Sequence, residues 1–299
     1  MSKSRTFVVS ELFTSSEGFL ALIQSLNATA ERFRSLIPRI PPSLSIPDFQ
    51  GIFKDLEGKM ERLEQMLLAL GWPPPGHLPA TLLDQITEEF HAGNLASTDI
   101  EDLFVHFYDA DLLRELTAEW KRNGHFPHRI HILDAAVGAH VAGQFELSVP
   151  AMLPQLEGVI AELFGHTGRM KGPAFQQYLV TAFSKGSHFD RVSAAFIINV
   201  ILESFFWGAK IPRLSRHAIL HGADTRYATA VNSLQIILAF DELQRSISYV
   251  ASVDGTRYHL TVCPSMRNVK ARRIFHTLDE ARDASLQACR RCLKHLPST

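Results

Sequence analysis

The chain reads as mainly α: a helical bundle body followed by a small C-terminal α+β module that binds zinc. Three observations predict this. Apolar residues recur at helical spacing through the body, and nothing between Ile130 and Ser246 alternates as a strand does. Roughly the last fifty residues then switch to alternation, an Asp254-Gly255 turn and a capping box. All three cysteines fall in that final stretch, joined by a histidine in the spacing His259-x3-Cys263-x25-Cys289-x2-Cys292.

With 299 residues, 46% hydrophobic and 20% charged, the chain can bury a real core in one large domain or two to three smaller ones. The formal net charge of −1 gives no global field for nucleic acid or anionic membrane, so any such contact needs a local patch. The start, "MSKSRTFVVSELF", lacks the apolar core of a secretory signal. The most apolar stretch, Ala194 to Ala209, is interrupted by Asn199, Glu203 and Ser204, which predicts a buried helix rather than a membrane span. Two of the three cysteines form a Cys-x-x-Cys, and a reduced, cytoplasmic compartment is expected.

In chain order, residues 5–36 are expected to be helical, with Phe13, Phe19, Leu20, Ile23 and Phe33 at helical spacing. Four prolines make 37–49 an extended connector. Leu56, Met60, Leu63 and Leu67 form one stripe of a helix over 53–70, which "GWPPPGHLPA" ends. Residues 81–122 are rich in Leu, Phe and acids, and "KRNGHFPHR" marks a basic junction at 121–129. Helices are expected over 129–143, 149–165, 174–184, 192–208 and 229–246. In the tail, Thr277 with Glu280 forms the capping box of a helix that turns Leu278, Ala281 and Ala284 to one side. The expected division is 1–122, a helical region of unknown role, then 123–246, then the module 247–299 with a core of its own.

Two pairs of closely spaced thiolate and imidazole ligands suit tetrahedral zinc with little chain strain. A module of about fifty residues buries too little apolar surface to hold itself together, and a structural zinc supplies the difference. The stretch "YHLTVCPSMRNVKARRIFHTLDEARDASLQACRRC" resembles the metal-binding module of the Ada DNA-repair proteins over about residues 248–296. The resemblance implies zinc ligation by His259, Cys263, Cys289 and Cys292. It does not imply methyl transfer, because His259 stands where those proteins carry the cysteine that accepts the methyl group. The basic side chains from Arg257 to Lys294 would serve either a nucleic-acid backbone or a solvated rim.

A second cluster, "RLSRHAILHG" at Arg213 to Gly222, sets arginines and histidines beside the most apolar helix. Arg216 can hold phosphate oxygens in a fork, and His221 can move a proton at neutral pH. Together they suffice to cut RNA without a metal, using the adjacent 2′-hydroxyl as nucleophile. His217 and His221, four apart, share a face, whereas Arg216 and His221 lie about 140° apart on an ideal helix. Glu157 is expected either to partner Arg216 or to point outward from a mostly apolar helix, and Leu220 is expected to pack. A solvated helix end beside Gly222 would place the same residues there. The histidines of "HFPHRIH" (His125, His128, His131) are expected to be incidental, having no carboxylates in phase.

The region 128–246 resembles the HEPN superfamily of helical ribonucleases, through Arg216, His217 and His221 and the preceding "LPQLEGVIAE". The resemblance implies a homodimer that joins two such motifs, catalytic roles for Arg216, His217 and His221, and RNA products ending in a cyclic phosphate; Glu157 joins the catalytic candidates as the partner of Arg216. A bacterial defence or toxin-type endoribonuclease is therefore expected, with the zinc module assisting nucleic-acid binding. The rival expectation is a non-catalytic dimeric assembly protein whose zinc module docks nucleic acid or a protein. Walker loops, dinucleotide fingerprints and His-Glu-x-x-His motifs are absent from the sequence.

Overall fold

The computed structural model describes residues 49–170, 172–183, 187–275 and 277–293. The expected helix at 5–36, its connector up to residue 48 and Lys294 lie outside these residues. Among them, helices α1 (Phe49–Leu70), α2 (Ala80–His91), α3 (Ser97–Phe107), α4 (Ala110–Asn123), α5 (Ile130–Val141) and α6 (Phe145–Leu163) follow one another through short turns. Then come α7 (Gly172–Ala182), α8 (His188–Phe196) with a π turn (Ile197–Ile201), the short α9 (Arg216–Leu220) and α10 (Ala230–Ser246). A four-stranded sheet in the order β3-β1-β2-β4, with one helix α11 (Leu278–Asp283), completes the chain. No helix of the described residues is long and apolar enough to cross a membrane.

Local chemistry sets the helix boundaries. Asp109 caps α4 by accepting from the backbone N–H groups of Asp111 and Leu112 at 3.0 and 2.9 Å. Ser187 and Asp190 cap α8 reciprocally. α6 begins earlier than expected and runs through Pro150 and Pro154. Proline 150 has no N–H for the Glu146 carbonyl, and the Tyr227 hydroxyl donates to that oxygen instead, at 3.3 Å. The stripe on α1 is buried only in its second half: Leu63, Met66 and Leu67 are enclosed, while Leu56 faces solvent.

The helix expected over 192–208 ends at Ile201, and residues 203–215 form a loop. The π turn widens the helix there, and the Ser215 hydroxyl donates to the Glu203 carbonyl at 2.7 Å, closing the chain into an excursion instead of another turn.

α10 is the axis of the body, packed by α3, α4, α5, α6 and α8 and buried on nearly every side. Its polar residues are therefore answered inside the protein. Ser233 donates to Ser148 and pairs with His140, both at 2.8 Å, and Gln244 pairs with His125 at 3.0 Å. Asp241 accepts from Trp120 Nε1 at 2.8 Å and Arg245 Nε at 2.9 Å, with His77 Nε2 at 3.3 Å. The proline-rich turn after α1 presses onto this group at Gly76, where an added Cβ would stand 2.6 Å from Glu242 Oε1.

α10 passes into β1 (Tyr249–Ser252) through Ile247 and Ser248, and the apolar interior is continuous across that junction. The Tyr249 hydroxyl donates to the Asn123 carbonyl at 2.9 Å, and Leu278 lies against Gly124, whose φ of +66° ends α4. β1 pairs antiparallel with β2 (Arg257–Leu260) across a four-residue connection containing Asp254 and Gly255, and with β3 (Arg272–Phe275) on its other side. Thr277 caps α11 by accepting from Glu280 N–H at 3.2 Å, and Leu278 and Ala281 are buried as the capping box predicts.

Burial, followed by the nearby Asp241 and Asp190 charges, pushes the Glu242 carboxyl up to about 8, with Arg245 opposing. The folded protein thus keeps a proton that the unfolded chain releases near the ordinary 4.5, so stability falls as pH rises between those values. Buried His140 behaves oppositely: burial holds it down at about 4, and stability is lost as pH falls from 6.5 toward that value. Above pH 6.5 Glu242 acts without this opposition, and because only the unfolded chain releases its proton, stability falls by up to roughly 1.4 kcal/mol per pH unit. Glu242→Gln is expected to flatten the fall in stability between pH 6.5 and 8, measured by urea denaturation. An unchanged slope would show that Glu242 ionises in the fold.

Candidate functional site

The C-terminal cysteines and His259 meet because of strand register. β4 (Gln287–Ala288) runs parallel to β2, with Arg257 opposite Gln287 and Tyr258 opposite Ala288, so the next residues, His259 and Cys289, come side by side. Cys263 closes the turn after β2, its N–H reaching the Leu260 carbonyl at 2.9 Å. Cys292 completes the turn after Cys289, where Leu293 N–H donates to the Cys289 carbonyl at 2.9 Å. One ligand atom from each of His259, Cys263, Cys289 and Cys292 lies within 4.8 Å of the others, and the three cysteines are buried.

The surroundings fit a metal ion. His259 Nδ1 is buried without a hydrogen-bond partner, as a nitrogen reserved for coordination would be. The Leu260 and Arg291 N–H groups donate to the Cys292 and Cys289 sulfurs at 3.4 Å, which stabilises thiolate charge. A hydrogen bond from Cys292 pulls the Cys263 thiol well below its usual range, and the same contact pushes Cys292 up. Two sulfurs this close, with charge favoured on one of them, suit neutralisation by a cation. Of the basic side chains around the cluster, Arg272 is spent on structure: it donates to the Val269 and Met266 carbonyls, both at 2.6 Å. Arg273 lies over the Phe275 ring at 5.2 Å. Arg257, Arg267, Lys270, Arg290 and Arg291 are exposed.

The second cluster is built on α9. Ser215 caps the helix by accepting from Ala218 N–H at 3.3 Å, while buried Leu214 precedes it at φ +58°, a conformation that costs roughly 1–2 kcal/mol for a branched residue. α9 packs on α6, and Arg216 forms an ion pair there with Glu157. Both side chains are about a quarter open to solvent, and the Arg216 Nε has no hydrogen-bond partner. The His217 and His221 rings stack on the outer face, 6.2 Å apart and 7° from parallel. Partial burial, then the nearby Arg216 and His221, hold His217 below the usual histidine range, with Glu157 opposing. The structure thus groups Arg216, Glu157, His217 and His221 at one surface.

Arg213 is not part of that group. It donates to Glu101 at 2.8 Å and Asn232 at 3.3 Å, tying the loop to α3 and α10. Leu220 is exposed, and Ala218 and Ile219 do the packing instead. Position 220 lies about 100° beyond Ile219 around the helix, outside the face that Ala218 and Ile219 bury. His125 and His128 turn to different partners, Gln244 and Glu162, and do not converge. Sequence reading missed the His77–Asp241–Arg245 group: Asp241 and Arg245 are four apart on α10, but His77 joins them from a segment that no spacing rule reaches. Compared with protein-family models, curated proteins and solved structures, the chain matches none.

Proposed function

We propose that the α9 surface is the centre of a metal-independent endoribonuclease and that the C-terminal cluster holds one structural zinc ion. The observation that carries the first half is the grouping of Arg216, Glu157, His217 and His221 on one partly open surface. His217, held neutral by burial and by Arg216, takes the proton of the RNA 2′-hydroxyl. That oxygen bonds to phosphorus as the bond to the 5′-oxygen breaks, and His221 supplies the proton that the departing oxygen needs. Arg216 stabilises the negative charge that builds on the phosphoryl oxygens, and Glu157 aims its guanidinium. The product ends in a 2′,3′-cyclic phosphate. The HEPN resemblance supports this reading and adds a homodimer and a cytoplasmic defence or toxin-type role.

The three thiols and one imidazole favour zinc among divalent ions. Zinc bound there supplies folding energy, and the Ada-like module with its exposed arginines assists nucleic-acid binding.

The test is incubation of purified protein with mixed RNA in EDTA, with the zinc content measured afterwards. Cleavage with cyclic-phosphate ends by a protein that retains its zinc is expected. Intact RNA favours the alternative, a dimeric binding or assembly protein. Because His217 is held low, the acid limb of kcat/KM is expected below the usual histidine range. A limb at or above that range would assign the base to another group.

A further inference from the structure

Residues 203–215 form a closed loop whose ends are fixed and whose tip is bare. The Ser215–Glu203 bond joins the ends, buried Leu214 anchors the return, and Gly208 at φ +84° turns the tip. That tip presents Phe206 and Trp207 at 77% and 75% exposure, with the Trp207 ring edge-on to Phe205 at 5.5 Å. Two neighbouring aromatic rings this open to water mark a contact surface.

Beside the loop lies a cleft of about 610 Å³. Lys210 and Arg213 line it from the loop, and Asp224 and Arg226 line it from the segment beyond His221, so both flanks of α9 face the same space. Arg213 is balanced by Glu101, while Lys210 and Arg226 make no ion pair among the described residues. Of the acids there, Asp224 accepts from the Arg226 N–H at 2.8 Å and Glu203 is exposed.

We propose that Phe206 and Trp207 form a stacking platform for unpaired bases of single-stranded RNA, with Lys210 and Arg226 on the phosphates that lead to Arg216. The inference rests on the RNA-cleaving reading of the α9 site. Every base has a π face, so aromatic stacking tolerates any sequence but requires bases released from a duplex. Cations beside the rings hold the backbone. An apolar partner would cover the rings and leave the charged cleft unmatched.

Trp207 is also its own probe, because Trp72 and Trp120 are 0% and 2% exposed. Full-length protein is titrated with a 2′-O-methyl oligouridylate, which has no free 2′-hydroxyl and cannot be cut by this chemistry. Quenching of Trp207 emission is expected, with no quenching by duplex RNA. Phe206→Ala with Trp207→Ala is expected to weaken binding, followed by anisotropy of the labelled oligomer, about ten-fold or more. Lys210→Ala should lower the salt slope of binding by about one. Unchanged affinity in the double variant overturns the platform, as does a blue shift with anionic vesicles but none with RNA. So does loss of a dimer in that variant with RNA affinity intact. Quenching by a protein that leaves ordinary RNA whole keeps the platform and removes the nuclease. Cleavage that ignores the double substitution keeps the nuclease and removes the platform.

Discussion

Cys289→Ser is expected to abolish binding of the proposed zinc ion and to unfold the C-terminal sheet while the helical body stays folded. The residue stands where β4 meets β2, directly beside His259, so its loss removes a ligand and the tie that holds the shortest strand. Serine offers zinc a poor oxygen donor in place of a thiolate, and three remaining ligands bind far more weakly than four. A structural zinc in modules of this size contributes on the order of 10–16 kcal/mol of apparent binding energy, and most of the fold's stability comes with it. What remains, the two-residue β4 and three four-residue strands with one turn and a half of helix, cannot stand alone.

The body is not untouched. Tyr249 and Leu278 leave Asn123 and Gly124 uncovered, so the end of α4 and the last turn of α10 lose support. Hydrogen exchange should show amides of 249–293 unprotected, partial loss at 119–124 and 243–246, and full protection in α5 and α6. Metal analysis should fall from one zinc per chain to well under half. A variant that keeps its zinc and its protection would show that the four side chains are not a metal centre.

The His/Cys cluster was readable because its members are local in sequence: they come as two closely spaced pairs, and only the long gap is tertiary. The capping box at Thr277 was readable for the same reason, since a cap involves residues three apart. Periodicity failed where a helix changes type. The helical spacing over 192–208 looks unbroken, but the π turn and the Ser215–Glu203 bond divide the stretch, and neither leaves a trace in hydropathy. The same blindness hid Phe206 and Trp207, which count as core in any apolar pattern yet stand in solvent. Buried polar residues are equally invisible to periodicity: Asp241, Glu242 and Gln244 lie inside because Trp120, Gly76 and His125 arrive on them from distant segments, with only Arg245 supplied by α10 itself. The pairing of Arg216 with Glu157 could be anticipated as chemistry, an arginine in need of an anion, but only the packing of α9 on α6 sets which anion it is.

Arg216→Ala and His221→Ala are each expected to lower RNA cleavage by about 10²–10³, with dimer formation unchanged. Their roles differ, which is why neither covers for the other: the guanidinium meets charge on the phosphoryl oxygens, and the imidazole delivers a proton to the departing oxygen. Removing Arg216 leaves Glu157 without its partner, but that carboxylate is about a quarter exposed and can be solvated, so the stability cost stays near 1 kcal/mol. A second readout separates catalysis from packing. With Arg216 gone, a positive charge no longer holds His217 down, and the acid limb of residual activity should move to higher pH. Arg216→Lys, which keeps the charge but not the fork, should leave the limb in place and still slow cleavage, whereas a merely structural arginine would tolerate it. Ile219→Ala is the packing control: this buried side chain should cost about 2–5 kcal/mol of stability while activity per folded molecule is kept. Leu220→Ala, at an exposed position, should change little. If Arg216→Ala and His221→Ala instead lower the melting temperature as Ile219→Ala does, and the wild type leaves RNA intact, the cluster is a helix-packing device. The protein would then bind its partner rather than cut it.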